Sequence, residues 1–231
     1  MTASPVLRRY AADVEAAHAE LTRLDQLSGD GDFGDNLRSG LRRVVDELDR
    51  SGTAGHGFDV AGRVFLDDVG GTSGPLFGLL FTEIGRALDG DEPTGRALDG
   101  DEPTSRALDG DVPTGRARDG DVLSWAAGAS AGLAAIQRVG EANVGDRTLV
   151  DALVPAVAAL ESDGAGAFAR AAAAAADGAR STAELRARLG RASYVGERAR
   201  GVADPGAVGV ALLFRALAEV EEPGSGIAPP Y

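Results

Sequence analysis

Apolar residues recur along this chain at helical spacing almost throughout. Val6, Tyr10, Val14, Ala17, Leu21 and Leu24 follow one another at steps of three and four, which sets them on one stripe of a helix ending near Asp25. The same spacing predicts a second helix over about 35–50, with Leu37, Leu41, Val44, Val45 and Leu48 inward, and a third over roughly 58–69. A fourth follows the glycines at 70–74 and carries Leu76, Phe77, Leu80, Phe81 and Ile84. Further helices are expected over about 122–139 and over 147–161, where Leu149, Leu153, Val157 and Leu160 share a face and Pro155 should introduce a bend. An alanine-rich helix over 164–189, with Gly178 a candidate break, and a last one from about 205 to 221 complete the set. Period-2 alternation is nowhere sustained. The expectation is an all-α single domain of eight helices spanning 1–231.

One stretch departs from this pattern. Residues 85–124 are a tandem decapeptide, GRALDGDEPT twice, then SRALDGDVPT and a decayed GRARDGDVLS. Ten residues is too short a period for helical solenoid repeats, and too few apolar positions recur to stack a core. Proline in the first three units and repeated Asp-Gly turns oppose a continuous helix. The clustered carboxylates would suit a weak calcium array, but no unit supplies an EF-hand frame with its bidentate Glu. A solvated, flexible loop is the expected reading of this insert.

Composition narrows the chemistry. The chain has no cysteine and no lysine, so all 23 basic residues are arginine. Disulfide scaffolds, thiolate metal sites, cysteine nucleophiles, Schiff-base lysines and the Walker A phosphate loop are thereby excluded. The net charge of −13 opposes binding to nucleic acid or anionic membranes and suits cation binding. No run is apolar enough to span a bilayer, and the N-terminus turns acidic before any leader-type apolar core, so a cytoplasmic location is expected.

Three glycine-bearing segments interrupt the helices. In LDQLSGDGDFGDN, residues 24–36, carboxylates at Asp25, Asp30, Asp32 and Asp35 fall around a Ser-Gly turn. Without a cation such a cluster is unfavourable, and hard oxygen donors with no Cys or His nearby favour Mg²⁺ or Ca²⁺; solvated helix caps are an equal alternative from spacing alone. In DDVGGTSGP, residues 67–75, glycines and hydroxyls precede a helix, which is a phosphate site in principle and tight helix packing otherwise. In GRASYVGERARGVADPGA, residues 190–207, Arg191, Arg198 and Arg200 could contact phosphates, and Asp204-Pro205-Gly206 reads as an N-cap with proline at the first helical position.

Taken together, LDQLSGDGDFGDNL, VGGTSGPLFG, GDRTLVDALVPA and GRASYVGERARGVADPGA stand in the order and phrasing of the nucleotide-binding L subunit (DhaL) of dihydroxyacetone kinases, and the chain resembles that family over its length apart from the insert. The resemblance implies a barrel of eight antiparallel helices. It also implies ADP or ATP bound at one end through two Mg²⁺ ions held by three aspartates in the pattern D-x4-D-x-D, here Asp25, Asp30 and Asp32. It further implies that Phe33, Gly34, Asp35 and Asn36 line the nucleotide, that Thr72 and Ser73 approach the phosphates, and that Gly140 and Leu149 flank the base. Arg191 with Asp204, Pro205 and Gly206 would complete the pocket. Phe33 stands where the family commonly has histidine, Leu37 and Leu149 where it often has methionine, and Val202-Ala203 where it has His-Gln.

The implied activity is a phosphotransferase of glycerol metabolism, a glycerone kinase. Mg-nucleotide held here would phosphorylate a small keto-sugar bound on a K-type partner subunit, with a phosphotransferase-system phosphodonor protein as a second possible partner. No covalent nucleophile is needed: the metal ions and Arg191 stabilise charge electrostatically. His18 and His56 are expected in surface or packing roles. Two alternatives are a degenerate, non-catalytic nucleotide-binding or regulatory subunit, and a DhaL-like domain of a fatty-acid kinase type system.

Overall fold

In the computed structural model, residues 5–51, 56–91, 122–162 and 165–231 are described, and they form helices without a strand among them. The long helices are α1 (Pro5–Ser28), α2 (Phe33–Ser51), α3 (Phe58–Asp67), α4 (Ser73–Asp89), α5 (Val122–Gly140), α6 (Val150–Glu161) and α7 (Ala167–Ser181). A four-residue helix, α8 (Ala192–Val195), precedes the last long one, α9 (Pro205–Glu221), and 3-10 turns occupy Thr182–Glu184 and Gly196–Ala199. Each long helix packs on its neighbour in sequence, and α9 packs back on α1, so the succession of neighbours closes on itself.

The stripe read from periodicity is the buried one. Val6, Tyr10, Val14, Ala17, Leu21 and Leu24 of α1 are all buried, as are Leu37, Leu41, Val44 and Leu48 of α2 and Leu153, Val157 and Leu160 of α6, whereas Val45 of α2, also expected inward, is half-buried. At the centre, Phe58, Phe65, Phe77 and Phe81 join Tyr10 and Trp125 in edge and tilted ring contacts. The Tyr10 hydroxyl, buried on α1, donates to the Gly209 carbonyl of α9 at 3.0 Å, which satisfies it without water.

Two boundaries differ from the periodicity. The alanine-rich segment is helical only to Ser181, and Gly178 lies inside the helix rather than at a break. A Cβ at Gly178 would stand 2.3 Å from the Asp151 carbonyl oxygen. That carbonyl is the one whose intrahelical donor would be residue 155, a proline with no N–H, so glycine lets α7 close onto a stretch of α6 that proline leaves open. The first decapeptide, in turn, begins as helix: Gly85–Asp89 are the last residues of α4, with Gly90 as its left-handed cap. Residues 92–121 of the insert lie outside the described residues.

Candidate functional site

A cavity of about 310 Å³ opens at one end of the helices. Its walls come from the C-terminal ends of α1, α3 and α5 and from the N-terminal ends of α2, α4, α6 and α9, whose first residues Phe33, Ser73, Val150 and Pro205 all line it. This follows from the up-and-down order, which brings alternate connections to the same end. Four helix N-termini therefore turn their positive dipole ends to one space, an arrangement that attracts anions even though the Phe33, Val150 and Ala207 N–H groups already donate to Asp25, Thr148 and Asp204.

The acidic cluster lies on this wall. Asp25, Asp30 and Asp32 all line the cavity. Asp25 is buried and its Oδ2 accepts from the Phe33 N–H at 3.0 Å, fixing the start of α2 to the end of α1. Gly29 is required beside it, because a Cβ there would meet the other oxygen of Asp25 at 2.3 Å. Asp30 is exposed and ion-paired with Arg191. The three carboxylates do not converge on one point: among the described residues no group of three acidic or histidine side chains is close enough to hold a metal ion. They nevertheless fit a hard divalent cation in chemistry and in place, since all are oxygen donors on one wall and Asp30 and Asp32 are exposed.

Most of the remaining expected residues meet here as well. Asn36, Thr72, Ser73, Gly140, Leu149, Arg191, Asp204, Pro205 and Gly206 line the same cavity. Thr72 occupies the N-cap of α4 without using its hydroxyl as a cap, which leaves that group for a ligand. Phe33 forms apolar floor: its ring lies 6.2 Å from that of Phe77, and it joins the cavity to the aromatic core. Gly34 and Asp35 do not line the cavity. Gly34 lies against Thr22 of α1, and Asp35 points to His18, 2.9 Å away, and to Arg38. The His18 hydrogen bond, with Arg38 adding to it, holds the Asp35 carboxyl below the usual carboxylate range. The Arg198 side chain lies outside the described residues.

Asp204 caps α9, accepting from the Ala207 N–H at 2.8 Å, and its own N–H donates to Thr182 Oγ1 at 2.7 Å. Enclosure pushes its pKa up to about 6, against the lowering effect of the Ala207 bond and the Arg147 charge. Arg147 is the wall residue that motif reading passed over. It is 1% exposed, and its Nη2 donates to the carbonyls of Ala199 and Val202 at 2.8 and 2.9 Å. The clue was present in GDRTLVD, where an arginine stands in a glycine turn between buried apolar helices.

The fold and the cavity define an all-helical domain whose cavity sets four helix N-termini beside carboxylates. The DAK2 domain model matches residues 28–219, and the chain belongs to that family. It is 35% identical over 209 residues to an L-erythrulose 1-kinase of Mycolicibacterium smegmatis, covering 87% of this chain and 32% of that protein. It is 34% identical over 215 residues to the ADP-binding subunit DhaL of the PEP-dependent dihydroxyacetone kinase of Escherichia coli, covering 89% of this chain and 90% of the subunit. The dihydroxyacetone kinase of C. freundii, solved in complex with AMP-PNP and Mg²⁺, superposes with a TM-score of 0.62 at 26% identity, covering 94% of this chain and 33% of that one. The chain thus spans about a third of the kinases that it matches as a part, and nearly the whole of the DhaL subunits.

Proposed function

We propose that the chain binds ADP or ATP with Mg²⁺ in this cavity and supplies the nucleotide for phosphoryl transfer to a small keto-sugar held on a partner subunit. The observation that carries the reading is the meeting of four helix N-termini, the Thr72 and Ser73 hydroxyls, Arg191 and three aspartates around one space large enough for a ligand. In this reading Asp25, Asp30 and Asp32 hold the metal, two ions by resemblance to the family. Bound Mg²⁺ would neutralise charge on the β- and γ-phosphates.

The chain's own groups have separate tasks. Thr72, Ser73 and the α4 N-terminus donate to phosphate oxygens, and Arg191 exchanges Asp30 for phosphate as its anionic partner. Leu149 and Gly140 flank the base, and the Asp204-Pro205-Gly206 turn closes the nucleoside side. The arrangement needs no covalent nucleophile, since orientation and charge suffice for phosphoryl transfer.

Relatives named dihydroxyacetone kinase, erythrulose kinase and triokinase share this domain, so the ketone is selected on the partner. The test is turnover of dihydroxyacetone and erythrulose by Mg-ATP when the chain is mixed with a ketone-binding subunit. Phosphorylated ketone is expected only with both present; nucleotide binding without turnover in any pairing would favour a non-catalytic subunit.

A further inference from the structure

The turn before α6 grips the loop that carries Arg191. Asp146 and Arg147 sit between Asn143 and Thr148, and the turn is braced by Asp151, whose two oxygens accept from the Gly145 N–H at 2.6 Å and the Thr148 N–H at 2.8 Å. Held on both sides, Arg147 adopts φ +62, a left-handed conformation that arginine rarely takes unless its surroundings impose it. The side chain is thereby buried and reaches across to Ala199 and Val202. The other end of the loop meets the same turn: the Arg188 N–H donates to the Asp146 carbonyl at 3.2 Å. The segment between these two grips contains Gly190, Arg191 and Ala192, which line the cavity.

We propose that the Asp146-Arg147 turn is a clasp for the 188–202 segment, and that Arg147 is a positioning residue that sets Arg191 at the cavity. The exposed Arg191 is the N-cap of a four-residue helix that runs into a 3-10 turn, elements too short to fix their own place. A buried guanidinium donating to two carbonyls supplies the missing restraint. Both bonds come from the one nitrogen Nη2, and lysine, a point charge with a different reach, reproduces them only in part. Nε and Nη1 of Arg147 have no hydrogen-bond partner; direct donation from them to the ligand is the competing arrangement that the test separates.

The proposal rests on the reading that the cavity takes Mg-nucleotide, and the test has one arm independent of it. In the first arm, hydrogen exchange is followed on the ligand-free full chain. In Arg147→Met, amides of 188–202 should exchange at least about tenfold faster while those of α1, α2 and α9 keep their rates. Unchanged rates in 188–202, or a uniform rise everywhere, would overturn the clasp. In the second arm, ADP affinity with Mg²⁺ is measured across a cycle of Arg147→Met and Arg191→Ala. Each single change should weaken binding about tenfold and the double variant no more than Arg191→Ala alone. Additive losses would mean that Arg147 acts on the ligand itself and would overturn the positioning role. Arg147→Lys should fall between wild type and Arg147→Met in both arms, and it carries the test if Arg147→Met does not fold. Failure of wild type to bind ADP would overturn the functional reading while leaving the first arm to decide the clasp.

Discussion

The guanidinium of Arg191 is ion-paired with the carboxylate of Asp30 across the cavity wall. Both side chains are exposed to solvent, so the pair contributes little to stability and exchanges readily for a stronger partner. Arg191→Ala is therefore expected to leave the melting temperature within about 2 °C of wild type. Its affinity for Mg-ADP should fall by roughly tenfold, the loss of one charge-assisted contact. Thermal melts with and without ADP report both quantities.

Asp204 predicts a pH dependence of definite sign. Its carboxyl is raised from 3.8 to about 6, first by burial. The folded chain then holds that proton more tightly than the unfolded one, so the group's contribution is complete below about pH 4 and is lost as pH rises through about 6. Asp204→Asn keeps an acceptor for Ala207 and removes the titration. The stability of wild type relative to this variant should fall by up to about 3 kcal/mol between pH 4 and pH 7. Urea unfolding across that range measures the difference, and a flat difference would contradict the assignment.

Gly178 predicts a packing limit. A methyl group there would meet the Asp151 carbonyl at 2.3 Å, and a backbone atom yields less easily than a side chain. Gly178→Ala should destabilise by about 2–3 kcal/mol despite alanine's better helix propensity. The melting temperature should drop by roughly 5–10 °C.

The insert is attached far from the cavity. Asp89 and Val122 sit at the ends of α4 and α5 opposite Ser73 and Gly140, and the 17 residues of α4 separate the two ends by about 25 Å at helical rise. Deleting residues 95–114 should leave nucleotide affinity unchanged and stabilise the chain by about 1 kcal/mol at most, the entropy of a shorter connection. Calorimetry on the deletion variant checks both.

The sequence carried the helices because burial follows spacing, as the single stripe from Val6 to Leu24 shows. It carried most of the residues that line the cavity because the motifs fall where helices begin and end. It misled at Gly34 and Asp35, which follow Asp32 directly in sequence: α2 starts at Phe33, and successive helical residues turn by about 100°, so Phe33, Asn36 and Leu37 face the cavity while Gly34 and Asp35 face α1. Gly178 misled for a related reason, since close packing against α6 and helix termination both select glycine. Arg147 was hidden because its partners lie 52 and 55 residues away, beyond any local pattern.

The central claim is that the aspartates of this cavity hold the metal through which nucleotide binds. Isothermal calorimetry of ADP with the full chain, with Mg²⁺ and with chelator, in wild type, Asp30→Ala and Asp32→Ala, tests it most directly. Saturable binding only in wild type with Mg²⁺ is the predicted result. Equal affinity in the two variants, or binding that survives removal of the metal, would contradict it.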